Sequence, residues 1–313
     1  LNDEHGMAPS SPLWNALQTQ TETALATGAL QPIPTAHEWV EVDGVTYLVR
    51  IVDNLNRKAR DRKQQQKKQT KSGEWFNPFL PYEPDLFVAD LSPTHLVLLN
   101  KFNVMDHHGL IVTRAFEDQV SWLTQLDFEA LAIAMAELDG LGFYNSGKLA
   151  GASQRHKHLQ WVPLPMALEG PRLPIAPLIR SISTATGPAL QAELPFCHGI
   201  APLNCDWTGS VTAIAQELLA VYSTLVQFLD IGHPEDPASP IPQLAYNLLV
   251  TRDWMLVVPR AQEKCAKLSI NSLGFAGAFL VRTAEERQFL LELGPLMALR
   301  QVAYPIHHQL DIN

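Results

Sequence analysis

Residues 145–162 read NSGKLAGASQRHKHLQWV. The first part of this stretch, from Ser146 to Ser153, is rich in Gly, Ala and Ser and predicts a loop. From Arg155 onward, RHKHLQWVPL alternates polar and apolar residues and predicts a strand. Side chains on a strand alternate faces, so His156, His158 and Gln160 are expected to point the same way, neighbours ~7 Å apart. Lys157, Leu159 and Trp161 are then expected on the opposite face. Three polar groups on one face, backed by an apolar one, form a candidate reactive platform.

The flanking sequence extends this pattern. Upstream, LFVAD, HLVLLNKF and GLIVTR read as strands, and GFYN as another just before the loop. A helix is predicted over 125–138, opened by a capping box of Thr124 and Asp127 and stopped by Gly140. WVEVDGVTYLVRI, residues 39–51, is a hairpin pattern around Asp43-Gly44, a dipeptide suited to a type I′ turn. Downstream, the Pro-rich stretch from Pro163 to Pro174 reads as a connector. A helix near Val211–Leu229 follows, then strands AYNLLV and WMLVVPR, and a capping box at Thr283 and Glu286. Strands and helices do not alternate strictly, which predicts an α+β fold with a mostly antiparallel sheet and flanking helices. The expected division is a catalytic half over 1–165 and a second half over 166–313 packed on it.

Composition excludes several function classes. The chain is 46% hydrophobic and 18% charged, as expected of a globular protein. No uninterrupted apolar run reaches the ~18–20 residues of a membrane span, and no secretory signal is expected in the first thirty residues. Three cysteines with no C-x-x-C pair argue against a disulfide framework or a Cys-rich zinc site and predict a cytoplasmic protein. A net charge of −9 argues against general nucleic-acid binding but leaves room for a small phosphate-bearing ligand. Residues 57–74 are rich in Lys and Arg. They read as a solvated loop or frayed helix, or as a mobile flap that steers anionic substrate.

A neutral imidazole is nucleophilic near pH 7, which suits attack on phosphorus. The loop upstream can offer backbone N–H groups and a hydroxyl to phosphate oxygens. It is not a Walker loop, because G-x-x-x-x-G-K-[ST] is absent. Taken alone, an H-x-H pair also fits a metal-ligand pair or a merely polar sheet face.

The wider pattern narrows this choice. HKHLQ at 156–160 resembles the H-x-H-x-Q motif of the nucleotidyltransferase branch of the histidine triad superfamily. Within that branch the chain is most similar to the ATP adenylyltransferase, or diadenosine tetraphosphate phosphorylase, family. The resemblance runs through NPFLPYEPDLFVADLSPTHLVLLNKFNVMDHHGLIVTRAFED, FYNSGKLAGASQRHKHLQ, AYNLLVTRDWMLVVPR and INSLGFAGAF, and covers roughly 75–313. The galactose-1-phosphate uridylyltransferases are similar too and imply a related fold, but they carry HPHGQ and often Cys/His zinc sites.

Carried over by position, the resemblance implies a role for each motif residue. His158 would be the nucleophile that takes AMP, His156 would orient it or hold the sheet-side hydrogen-bond network, and Gln160 would hydrogen-bond the α-phosphate oxygens or the adenylyl intermediate. Ser153, with the amides of Gly151 and Ala152, would cradle phosphate, and Gln154 belongs to the same loop. Asn145 would brace the transferred phosphate. Asn100 would contact ribose, or else simply ends a strand; His108 would support the nucleophile's strand, with a turn feature as its other reading and the choice between it and the adjacent His107 open. Asn77, with Pro78, either lines the adenine pocket or opens a turn. Lys148 meets a polyphosphate or points to solvent. Asn271, Ser272 and Gly274 lie in a shared segment without an assigned role.

The reaction so implied is reversible phosphorolysis of diadenosine tetraphosphate to ATP and ADP through an adenylyl-histidine. Mg²⁺ would arrive on the substrate, with no metal site in the protein. The partners would be nucleotides and phosphate, not nucleic acid or membrane. Gln160 fits that chemistry: an amide has no titrating group near pH 7, and a polyphosphate leaving group needs little acid assistance. Hydrolysis of dinucleoside polyphosphates, hexose-phosphate uridylyl transfer, and non-catalytic nucleotide or metal binding are the alternatives.

Overall fold

In the computed structural model, which describes residues 11–52, 76–179, 187–236 and 238–306, His158 opens a central strand of an eight-stranded sheet. The basic run at 57–74 lies outside the described residues.

The chain begins with α1 (Pro12–Thr27), capped by the Ser11 hydroxyl and closed by Gly28 in a left-handed conformation. The hairpin β1 (Thr35–Val42) and β2 (Val45–Val52) follows, and Asp43 and Gly44 both have positive φ, 52° and 76°, as a type I′ turn requires. Then come β3 (Phe87–Asp90), β4 (His95–Leu99) and β5 (Gly109–Thr113). Next are α2 (Gln125–Glu137), β6 (Gly140–Asn145) and β7 (His158–Pro163). The remaining elements are β8 (Gly199–Pro202), α3 (Val211–Phe228), β9 (Tyr246–Val250), β10 (Trp254–Pro259) and the short pair β11 (Lys264–Cys265) and β12 (Leu268–Ser269). After them come α4 (Ser272–Phe275), β13 (Ala278–Val281), α5 (Ala284–Leu293) and α6 (Pro295–Val302).

The large sheet runs β3-β4-β5-β7-β6-β9-β10-β8, and every pairing in it is antiparallel. This is the α+β, mostly antiparallel architecture expected. Because β6 pairs with β9, one sheet runs through both sequence halves. A second sheet adds β13 parallel to β2 of the hairpin.

Alternation along the strands sorts the side chains into two layers. Leu159 and Trp161 join the cluster formed with α1, α2 and α3 on one face. α3 is apolar and long enough to span a bilayer by composition alone, but its stripe of Ile214, Leu218, Tyr222 and Leu225 is buried in this cluster. On the other face, Phe143, Leu249 and Val258 pack with β2, β13 and the last helices, while Leu98, Leu110 and Val112 pack beneath Phe79. The site lies between these two apolar zones.

One local expectation is corrected. Gly140 does not stop α2, which ends at Glu137; Gly140 starts β6, where a Cβ would lie 2.4 Å from Trp161 Nε1. Its small size serves close packing on the neighbouring strand.

Candidate active site

A cavity of about 1210 Å³ opens over the ends of β4, β5 and β7. It is lined by His158, Gln160, His108, Asn100 and Asn145, by Gly151–Gln154, by Lys148, and by Phe279 and Arg282 from the far side. His158 and Gln160 share a face, as strand alternation requires, and Lys157 lies on the other, its ammonium bonded to Asp127 at 2.7 Å.

His158 is buried, and its Nδ1 lies 2.8 Å from the backbone oxygen of His156. A carbonyl can only accept, so Nδ1 carries the proton and Nε2 keeps its lone pair. Among the described residues Nε2 has no hydrogen-bond partner. Burial, which disfavours the charged form, holds the ring down to a pKa of about 4. At neutral pH His158 is therefore an uncharged imidazole with a free basic nitrogen. Phe79 sits edge-on to it, ring centroids 5.3 Å apart.

A relay of donors fixes Gln160. Asn100 Oδ1 accepts from Phe102 N, so its Nδ2 donates to His108 Nδ1 at 3.2 Å. His108 Nε2–H then donates to Gln160 Oε1 at 3.0 Å. Burial lowers His108 to about 4, so it too is neutral and serves as a one-way connector. With its oxygen engaged, Gln160 presents its N–H₂ group to the cavity. Of the adjacent histidines, His107 turns away, edge-on to Trp14 at 4.8 Å and beside Thr21.

Asn145 is arranged in the same sense. Its Oδ1 accepts from Asn247 Nδ2 at 2.8 Å and from Ser272 N at 3.0 Å, leaving its N–H₂ on the cavity side. The backbone of this strand end is tied to that of His158 by Gln119. That side chain accepts from His158 N at 2.9 Å and donates to Asn145 O at 3.0 Å.

The loop after Asn145 turns at Gly147 and Gly151, whose φ values are 80° and 90°. Here the expected phosphate cradle is corrected. Gly151 N–H donates to Lys148 O and Ala152 N–H to Gly147 O, so both amides are used inside the loop. Among the described residues the N–H groups of Ser153 and Gln154 have no partner, and both residues line the cavity with the Ser153 hydroxyl. Lys148 is exposed at the rim.

Two further candidate residues stand outside the cavity lining. His156 precedes β7 and does not line the cavity. Its Nε2 donates to Thr113 O at 2.8 Å and its Nδ1 accepts from Asn77 Nδ2 at 3.0 Å. Of the two readings of Asn77, the turn holds: its Oδ1 accepts from Phe79 N at 3.0 Å, and Pro78 rather than Asn77 lines the cavity. Sequence reasoning missed Gln119, Asn247 and Arg260. A polar Asn247 inside the apolar run YNLLV was a signal for the second; nothing in the spacing marked Gln119.

An antiparallel sheet that offers a neutral histidine between two oriented carboxamides to a large cavity is the arrangement of a nucleotidyltransferase. Residues 3–181 match the Ap4A phosphorylase N-terminal domain, and 192–305 the ATP adenylyltransferase C-terminal domain, Ap4A being diadenosine tetraphosphate. The chain belongs to the Ap4A phosphorylase family. It is 32% identical over 257 residues to diadenosine 5',5'''-P1,P4-tetraphosphate phosphorylase 2 of Saccharomyces cerevisiae, across 73% of this chain and 76% of that one. The crystal structure of yeast Ap4A phosphorylase Apa2 has the same fold, with a TM-score of 0.75, 24% identity, and 95% of this chain and 99% of that one covered. The structure of yeast Apa2 in complex with Ap4A gives 0.73, 23%, 95% and 99%.

Proposed function

We propose that this chain catalyses the reversible phosphorolysis of diadenosine tetraphosphate to ATP and ADP through an adenylyl group carried on His158. The observation that carries this reading is the tautomer of His158: Nδ1–H is held by a main-chain carbonyl, and Nε2 is free and unprotonated at the cavity. The names of the yeast relatives supply the substrate.

In the first half-reaction Nε2 attacks one α-phosphorus. A P–N bond forms and the P–O bond to the departing ATP breaks. In the second, an oxygen of inorganic phosphate attacks the same phosphorus, the P–N bond breaks, and ADP leaves. The N–H₂ groups of Gln160 and Asn145 donate to the equatorial oxygens, where charge is concentrated during transfer. The free amides of Ser153 and Gln154 add donors on the loop side. None of these groups titrates near neutral pH, so the site supplies charge stabilisation rather than proton transfer to a weakly basic leaving group. The four phosphates of the substrate bring their own Mg²⁺. Among the described residues no group of three or more His, Cys, Asp or Glu is placed to hold a metal.

The test is intact-protein mass spectrometry after incubation with diadenosine tetraphosphate and Mg²⁺ but no phosphate, beside His158→Ala. The wild type should gain one AMP, the variant none, and added phosphate should release ADP. Consumption of substrate with no mass gain would point to direct hydrolysis and overturn the covalent route. Neither binding nor consumption would overturn the substrate.

A further inference from the structure

A directed chain of hydrogen bonds begins at a buried guanidinium and ends at the cavity. Arg260 follows β10 and is wholly buried, its Cζ 5.4 Å from the Phe275 ring centroid. Its other partners are carbonyl oxygens, those of Val302, Ala150, Gln262, Glu263 and Ile270. Nη1 donates to Asn247 Oδ1 at 2.5 Å. A guanidinium has no acceptor, so Asn247 must turn its oxygen toward Arg260 and its amide the other way.

Asn247 Nδ2 then donates to Asn145 Oδ1 and to Ala150 O, both at 2.8 Å. Ser272 reinforces the same choice. Its N–H donates to Asn145 Oδ1, and its hydroxyl is shared between that oxygen at 2.8 Å and Tyr144 O at 3.0 Å. A flipped Asn145 would set its N–H₂ against the donors of Asn247 and Ser272 and turn a carbonyl oxygen toward an anionic phosphate. Both consequences are unfavourable in a buried site.

We propose that Arg260, Asn247 and Ser272 are positioning residues that lock Asn145 with its N–H₂ toward the phosphorus attacked by His158. All three come from the C-terminal half of the chain, so that half completes a site whose nucleophile lies in the other. This inference rests on the adenylyl-transfer reading above.

The test is a double-mutant cycle on the single-turnover rate of His158 adenylylation. Asn247→Asp keeps a partner for Arg260 but cannot donate to Asn145. It should slow transfer on the order of 10²-fold, as loss of one transition-state donor does. In an Asn145→Ala background the same substitution should change the rate by less than about twofold, because the group it acts through is gone. Ser272→Ala, a milder change that keeps the backbone donor, should show a smaller loss that also vanishes in that background. Should Asn247→Asp fail to fold, this second cycle decides. Equal losses in both backgrounds, or no loss from either substitution, overturn the inference. A wild type that forms no adenylyl-enzyme overturns the functional reading first, and this one with it.

Discussion

Nδ1 of His158 donates to the main-chain carbonyl of His156 at 2.8 Å, so the first histidine of the motif sets the tautomer of the second through its backbone. The His156 ring does separate work, pinning the segment to Thr113 and Asn77. Orientation and anchoring are thus divided between two parts of one residue.

This division makes the two histidines separable. His158→Ala removes the lone pair and should abolish the adenylyl-enzyme altogether. His156→Ala keeps the carbonyl that holds Nδ1 but leaves Thr113 O and Asn77 Nδ2 without their partner. It should lower stability by roughly 1–3 kcal/mol and slow transfer while still trapping AMP. Mass spectrometry after prolonged incubation, with urea denaturation alongside, distinguishes the two. A His156→Ala protein of wild-type stability would show that the ring anchors nothing.

Burial lowers His158 and His108 to about 4, below the ~6.5 of an unfolded chain. The folded state therefore binds fewer protons than the unfolded one between those values. The stability these neutral rings contribute is complete above about pH 6.5 and is lost as pH falls toward 4. The melting temperature should fall across that window, and less steeply in His108→Asn. The rate of adenylylation should stay flat down to about pH 5, since the His158 ring is already unprotonated there. A rate that declines from pH 7 with an apparent pKa near 6.5 would show a solvent-exposed His158.

The sequence disclosed the strand faces, the Asp43-Gly44 turn, the capped start of the helix at Gln125 and the motif histidine, because these depend on near neighbours. What it left hidden depends on residues far apart in the chain. Ser272 reaches Asn145 across 127 positions, and Gln119 reaches His158 across 39. The amides of Gly151 and Ala152 were misread for a related reason. Loop composition predicts free N–H groups, but the short turn at Lys148–Ala150 consumes those two and leaves the next two open. The His156 ring is edge-on to the same Phe79 as His158, but its bonds to Thr113 and Asn77, distant in sequence, keep it out of the cavity lining.

Gly151 is required twice. Its φ is 90°, a region L side chains rarely adopt, and a Cβ there would lie 2.8 Å from Asn271 Cβ. Gly151→Ala should cost about 1–3 kcal/mol and displace Ser153 and Gln154 from the cavity wall. Equilibrium denaturation together with AMP binding by calorimetry checks both parts. An unchanged midpoint would mean that the loop relaxes freely.

Gln119 offers the sharpest separation of structure from chemistry. It is buried, accepts from His158 N at 2.9 Å, and donates to Asn145 O at 3.0 Å and His158 O at 3.2 Å. Gln119→Met removes every one of these bonds at similar volume and should destabilise by roughly 2–4 kcal/mol, from more than one buried group left unpaired. Gln119→Glu differs in kind. A carboxylate still accepts from His158 N, but it places negative charge beside the imidazole and stabilises its protonated form. The acid limb of the adenylylation profile should therefore move upward, toward neutral pH, relative to wild type. Gln119→Met should lower stability without moving that limb. Rates of AMP incorporation measured from pH 4.5 to 8 on both variants decide the matter; coincident acid limbs would place Gln119 outside the electrostatic reach of the His158 ring.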